Sequence, residues 1–285
     1  MPTYFNPYTD FGFKKLFGED ANKDILMDFL NSILPSKHQI KTLNFRNTEQ
    51  LGPLPVNRRA VFDIFCESKK GEKFIVEMQK SVQHYFKDRA LFYAAYPIRE
   101  QAPKGAKSGE EWDYNLDAVY FVGILNFKYE AETEKALFMR DVSLRDKFGN
   151  EFFDKLHFYF FQMPLFKKRE NELKTHADKW LYFLKHLTSF DHIPSIFGEK
   201  VFKKAFHTAE LGQLSSEELF NYEHSLKILR DNYAVDKTMF DLGKSEGKSE
   251  RDKEIARSML ADGISIKTIT KHTGLSPKEI EKLTK

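Results

Sequence analysis

The chain has 285 residues, 41% hydrophobic and 15% aromatic with 28 Phe and 12 Tyr, enough to bury a sizeable core and to exclude global disorder. Its 45 basic residues against 42 acidic ones leave a net charge of only +3, so a site for a polyanion must be local. One cysteine, Cys66, excludes an internal disulfide and a cysteine-based zinc cluster, and with no signal-peptide pattern and no apolar run of about 18 residues the expected compartment is the cytoplasm, without a membrane.

In chain order, Asp10 in the motif TDFGFKK reads either as an acid near a functional site or as the N-cap of a short helix beginning at Phe11. Ile25, Leu26, Phe29, Leu30 and Ile33 recur at helical spacing and predict a helix over 22–34, with Asn22 as its cap and Pro35 as its stop. Residues 61–66, VFDIFC, and 74–79, FIVEMQ, flank the charged loop ESKKGEK and predict a β-hairpin. From Ser81, a candidate N-cap, apolar residues through Tyr96 predict a helix that Pro97 ends.

After the turn-rich segment APKGAKSGEEWDYN, the continuous apolar run AVYFVGILNF predicts a strand covered on both faces. ALFMRDV at 136–142 and LHFYFFQM at 156–163 predict two further strands, and ADKWLYFLKHLTSF and SSEELFNYEHSLKILRDNY predict a helical cover. DLGKSEGKSERDKE reads as a linker or a solvated helix; no strand precedes Gly243, Lys248 and Ser249, which argues against a phosphate loop. Gly263 and Gly274 mark helix ends, and Ser276, Pro277 and Glu279 mark a helix start, so the final residues form a helix-turn-helix-like pair. Lys278 and Lys282 would then face DNA, or the pair makes an ordinary protein contact.

The hairpin carries the chemistry. If residues 66 and 74 pair across it, Asp63 falls opposite Glu77, and side chains alternate so that Glu77 and Gln79 share a face. Opposed carboxylates repel, and a counter-charge relieves them. A hard divalent cation such as Mg²⁺ is held by one or two carboxylates plus waters and substrate phosphate, which points to phosphodiester hydrolysis. The backbone carbonyl of Met78, with Glu77 and Gln79, would orient ion and water; the alternative is two acids that merely face solvent. Cys66 reads as a buried apolar residue rather than a nucleophile, and the 9 His include no metal-ligand pair.

The segments YTDFGFKKLFG, NKDILMDFLNSIL, VFDIFC with FIVEMQ, RALFYAA and KWLYFLKHL, over roughly residues 4–235, resemble the Rpn family of recombination-promoting nucleases, members of the PD-(D/E)XK superfamily. The resemblance implies an α/β fold: a restriction-endonuclease-like core with a mixed sheet flanked by helices over 1–165, a helical extension over 166–235, a linker or solvated helix over 236–254, and a C-terminal helical pair over 255–285. It makes Asp63 the first acid and Glu77 the second, both catalytic and metal-holding, and sets Gln79 where the superfamily name has lysine. Asp10 would be a further metal acid, and Lys14, Lys15, Gln83 and Arg89 are candidates for contact with DNA.

The implied activity is Mg²⁺-dependent DNA endonuclease action, with Mn²⁺ or Ca²⁺ as other candidate ions, of mobile-element, recombination or genome-defence type. DNA is the implied partner, a homodimer is compatible with it, and no organic cofactor is expected. Because a neutral amide cannot supply the charge of an ammonium, a second reading is a catalytically weak or inactive nuclease-fold protein that binds DNA or another protein.

Overall fold

The computed structural model describes residues 2–35, 39–50, 60–83, 85–102, 114–128 and 137–283. The chain divides into two units, Met1–Leu226 and Lys227–Lys285.

In the first unit, α1 (Asp10–Phe17) is capped by Thr9, whose hydroxyl accepts from the Gly12 N–H at 2.9 Å. The cap is therefore one residue earlier than Asp10, which becomes the first helical residue. Asn22 does not cap α2 (Lys23–Ile33) either: its amide donates to the Lys15 carbonyl at 2.8 Å, closing the end of α1, and α2 starts after a 3-10 turn, Asp20–Asn22. Both helices bury the periodic apolar residues that define them, among them Phe13, Phe17, Ile25, Phe29 and Ile33.

β1 (Leu43–Phe45) is followed by β2 (Glu49–Gln50) and β3 (Ala60–Val61), which pair with each other. The expected hairpin forms as β4 (Ile64–Ser68) with β5 (Lys73–Gln79), and its register sets Cys66 against Phe74 and Ile64 against Val76. The strand expected over 61–66 breaks, however: Val61 pairs with Glu49, and Phe62 and Asp63 form a bend before the ladder starts at Ile64. Its turn needs glycine at 71: φ is +87°, and a Cβ there would lie 2.4 Å from Oδ2 of Asp117.

The next helix, α3 (Phe86–Glu100), starts five residues later than Ser81 and runs past Pro97. Val82 and Tyr85, which lengthened the apparent apolar stripe, are exposed in the connecting loop, and the Phe86 N–H turns back to the Gln83 carbonyl. Pro97 forfeits only the bond toward the Tyr93 carbonyl and lies close to the end of the helix, where the interruption is tolerated. Within the turn-rich segment that follows, residues 103–113 lie outside the described residues, as does Ala136 at the start of the strand predicted over 136–142.

β6 (Val119–Leu125) is buried throughout and runs parallel to β5 on one side and to β8 (Glu151–Gln162) on the other. β7 (Met139–Arg145) forms the half-exposed edge, antiparallel to β8 with two register irregularities. β8 begins five residues before Leu156, because the mostly exposed stretch 151–155 extends the pairing with β7, with Phe153 alone packing against the core. Among the described residues the mixed six-stranded sheet has the order β1-β4-β5-β6-β8-β7.

Alternation along the strands splits the core in two. Ile64, Cys66, Phe74, Val76, Tyr120, Val122 and Tyr159 pack with α1, α2, α4 (His176–His186) and α5 (Lys200–Ala209). Phe65, Ile75, Phe121, Phe158 and Phe160 pack on the other face with Phe86, Ala90, Tyr93 and Ala94 of α3. α4 opens on a Thr175–Asp178 capping box, and α5, whose apolar residues carried no expectation of their own, buries Phe202 and Phe206.

α6 (Ser216–Ala261) begins in the first unit, where the Tyr222 hydroxyl accepts from the Asn6 N–H at 3.0 Å. It continues as helix through 241–254, so the glycines of GKSEGKSE lie inside a helix and form no phosphate loop. In the second unit, α7 (Ile266–Thr273) ends on Gly274 in the left-handed conformation, and α8 (Pro277–Lys282) starts on a Ser276–Glu279 capping box. Ala256, Ile269, Leu275 and Ile280 make its small core. No helix among the described residues is long and apolar enough to cross a membrane.

Candidate active site

The hairpin brings two acids together on the face that α3 covers. Asp63 stands at a bend one residue before β4, and its Oδ2 accepts the Met78 N–H at 2.7 Å. The Asp63 N–H in turn donates to Oε1 of Glu77 at 3.0 Å, and Gln79 Nε2 donates to Glu77 Oε2 at 3.0 Å. Each carboxylate is thus fixed by the backbone or side chain of the other strand segment rather than by rotamer preference. Within a strand the N–H and C=O of one residue share an edge, so the Met78 carbonyl lies on the edge that faces Asp63.

Burial sets the acid–base character. Glu77 is 1% exposed, and in register its sheet neighbour on β6 is Gly123. A Cβ at Gly123 would lie 3.0 Å from the Phe160 ring, so the missing side chain lets that ring close over the sheet beside Glu77. Loss of water, with the Asp63 charge adding to it, pushes the Glu77 carboxyl up to about 8, against the pull of the Asp63 N–H, the Arg89 charge and the Gln79 amide. Burial also raises Asp63, with Asp10 adding and the Met78 N–H, Lys14 and Lys80 opposing.

The other residues singled out from sequence divide into two groups. Asp10 and Lys14 act on Asp63 through their charges but are paired with each other at 3.0 Å on an exposed helix turn. Lys15 is drawn away: its Nζ contacts Glu19 at 3.0 Å and Glu218 at 2.6 Å, an arrangement that holds Glu218 down at about 2. Gln83 accepts from Arg89 Nη1 at 2.8 Å, and Arg89 Cζ lies 4.9 Å from the centre of the Tyr93 ring.

Tyr93 was not foreseen. Its hydroxyl is raised by burial first, with Arg89 opposing and the charges of both Glu77 and Asp63 adding. The available signal was its position four residues after Arg89, on the same face of one helix.

A hard divalent cation suits this donor set: two carboxylates whose proton affinity is raised, and one backbone carbonyl on the same edge, all oxygen. Among the described residues no three His, Cys, Asp or Glu gather tightly enough to hold an ion on their own.

A family model described as PD-(D/E)XK nuclease family transposase matches residues 7–238, which contain every residue of this site. A second, described as Rpn/YhgA-like nuclease family, C-terminal HTH domain, matches residues 249–285. Neither a curated protein nor a solved structure matches the chain.

Proposed function

This chain belongs to the PD-(D/E)XK nuclease family transposases, with the α/β fold of that group, and from that premise we propose that it is a divalent-cation-dependent DNA endonuclease. The observation that carries the reading is the juxtaposition of Asp63 and Glu77, two buried-side acids bridged through their own strand backbones on one sheet face. Mg²⁺, or Mn²⁺ in its place, would be held by Asp63, Glu77 and the Met78 carbonyl. When bound, such an ion would polarise a phosphoryl oxygen and lower the pKa of water.

The chain's own groups supply the rest. Glu77, ionised once its proton is displaced, accepts hydrogen bonds from the Asp63 N–H and the Gln79 amide, which fix the direction of its remaining lone pairs. Gln79 is a positioning residue, since an amide neither carries charge nor takes up the proton of the attacking water. In the reaction, the water oxygen bonds to phosphorus, the bond to the leaving sugar oxygen breaks, and one proton passes from the water to solvent while the leaving oxygen acquires another. The C-terminal helix-turn-helix unit would hold DNA, with Lys278 and Lys282 on its last helix available for phosphates. A role in mobile-element movement or genome defence follows the same reading.

Plasmid cleavage with Mg²⁺, Mn²⁺ or no ion tests it, comparing the parent with Asp63→Ala and Glu77→Ala. Both substitutions are expected to lower cleavage by at least about 100-fold. Ion-dependent cutting that survives both changes would remove this site from the reaction, and DNA binding without cutting in any ion would leave a non-catalytic DNA-binding protein.

A further inference from the structure

The acid pair is held by neutral donors alone, yet phosphodiester hydrolysis builds negative charge on the phosphoryl oxygens. A lysine at 79 would have put an ammonium there; Gln79 does not. The cation must come from elsewhere, and the packing of α3 narrows the choice.

α3 follows β5 after a short loop, so its first turn stands near the strand end that carries Glu77 and Gln79. Arg89 lies on that part of α3, three residues after Phe86 and four before Tyr93, both of which pack on the site's face of the sheet. Its guanidinium is gripped twice, by Gln83 Oε1 at 2.8 Å and by the Tyr93 ring, whose centre is 4.9 Å from Cζ. Tyr93 is itself wedged edge-on against Phe62 at 5.2 Å between ring centres, and Phe62 is the residue before Asp63. One packed path thus leads from the acid through two rings to the guanidinium.

Two competing lysines are otherwise engaged. Lys14 pairs with Asp10, and Lys15 with Glu19 and Glu218. Lys80 lies beyond the end of β5, whereas Arg89 is held against Tyr93 on the sheet face that carries Glu77.

We propose that Arg89 supplies the positive charge that the superfamily pattern assigns to lysine, donating to a non-bridging oxygen of the scissile phosphate, with Tyr93 as the residue that positions it. The inference rests on the metal-dependent nuclease reading given above. A guanidinium presents five N–H donors in a rigid fork, so bonding one side to Gln83 leaves others to reach an oxygen. The entropy of ordering a long side chain is already spent in the free protein, because ring and amide hold it before DNA arrives.

The test combines steady-state cleavage of a DNA duplex in Mg²⁺ with two readouts that do not depend on turnover. Arg89→Met should lower kcat by about 100-fold with KM changed less than about threefold, and Arg89→Lys should recover about tenfold of that loss. Tyr93→Leu should lower kcat less, and the double variant Arg89→Met with Tyr93→Leu should be no slower than Arg89→Met alone, since the two act through one group. Titrating Mn²⁺ alone into metal-free Arg89→Met should show tighter binding than the parent, because a cation on the same sheet face as the acids has been removed. Thermal melting should stay close to that of the parent.

An Arg89→Met variant that raises KM but keeps kcat would make Arg89 a mere DNA tether and overturn the proposal. So would unchanged Mn²⁺ affinity, or double-variant losses that multiply. If the parent cuts in an Asp63-dependent way while Arg89→Met keeps its kcat, only this inference fails; a parent that cuts in no divalent ion removes the nuclease reading and this inference together.

Discussion

The backbone N–H of Asp63 donates to the Glu77 carboxylate at 3.0 Å, so the first acid of the site holds the second through its main chain. Any change that moves the bend at Asp63 therefore disturbs both acids at once. Their proton affinities rise together in spite of these hydrogen bonds, because each is buried and Glu77 feels the charge of Asp63.

Metal-free protein should lose stability as pH rises. The folded-state value of Glu77 is raised from its usual 4.5 to about 8, so the folded protein binds the proton more tightly than the unfolded chain. The resulting stabilisation is complete below about pH 4.5 and is lost as pH climbs through about 8. Thermal melting between pH 5 and pH 8.5 should show this decline, Glu77→Gln should flatten it, and millimolar Mg²⁺ should offset it at the alkaline end. A melting temperature that rises over this window in the metal-free parent would contradict the assignment.

Gln79→Lys should bring Glu77 back toward ordinary acidity. The Gln79 amide already donates to Glu77 Oε2 at 3.0 Å, and an ammonium at that place adds a full charge that favours the ionised carboxylate. Carboxyl-carbon NMR titration of labelled Glu77 should show its midpoint falling by at least about one pH unit. A midpoint that stays near 8 would show that burial dominates whatever stands at position 79.

Lys15 should matter to stability and not to DNA. With Glu218 held down at about 2, their pairing contributes above pH 4.5 and is lost as pH falls toward about 2. Lys15→Met should cost about 1 kcal/mol or less, since the pair is partly exposed, and less still at high salt. Its DNA affinity, measured by fluorescence anisotropy in Ca²⁺, should equal that of the parent; a clear weakening would restore the direct phosphate contact expected from sequence.

The C-terminal unit should be the first to fail when its core is cut. Ile269 is fully buried among Ala256, Leu275 and Ile280, and Ile269→Ala removes about 2–5 kcal/mol from a unit with few other buried side chains. Ser276→Ala, which opens the capping box of α8, should cost about 1 kcal/mol. Amide hydrogen exchange should show α7 and α8 unprotected in Ile269→Ala while β5 and β6 stay protected. Protection retained in α7 would mean that this core is not what holds the unit.

The hairpin register was legible because one loop length fixes it, and Cys66 does stand opposite Phe74; the bend that takes Asp63 out of the ladder, while leaving it bonded to Glu77 and Met78, was not. The continuous run of β6 likewise announced a strand with both faces covered. Caps were harder: Thr9, Asn22 and Ser81 all have the right chemistry, and tertiary contacts decide which hydroxyl or amide meets a free N–H. Gly123 was out of reach, since its part in the site depends on which strand lies beside it, and Tyr93 had only its spacing from Arg89 to mark it.

Cys66, the chain's one thiol, lies fully buried in β4, three residues from Asp63, with burial raising it far from reactivity. An alkylating reagent therefore meets it only when the strand peels away from β5. The native sequence carries its own gauge for the breathing of this hairpin, and the labelling rate with and without Mg²⁺ would time how often the two acids part company.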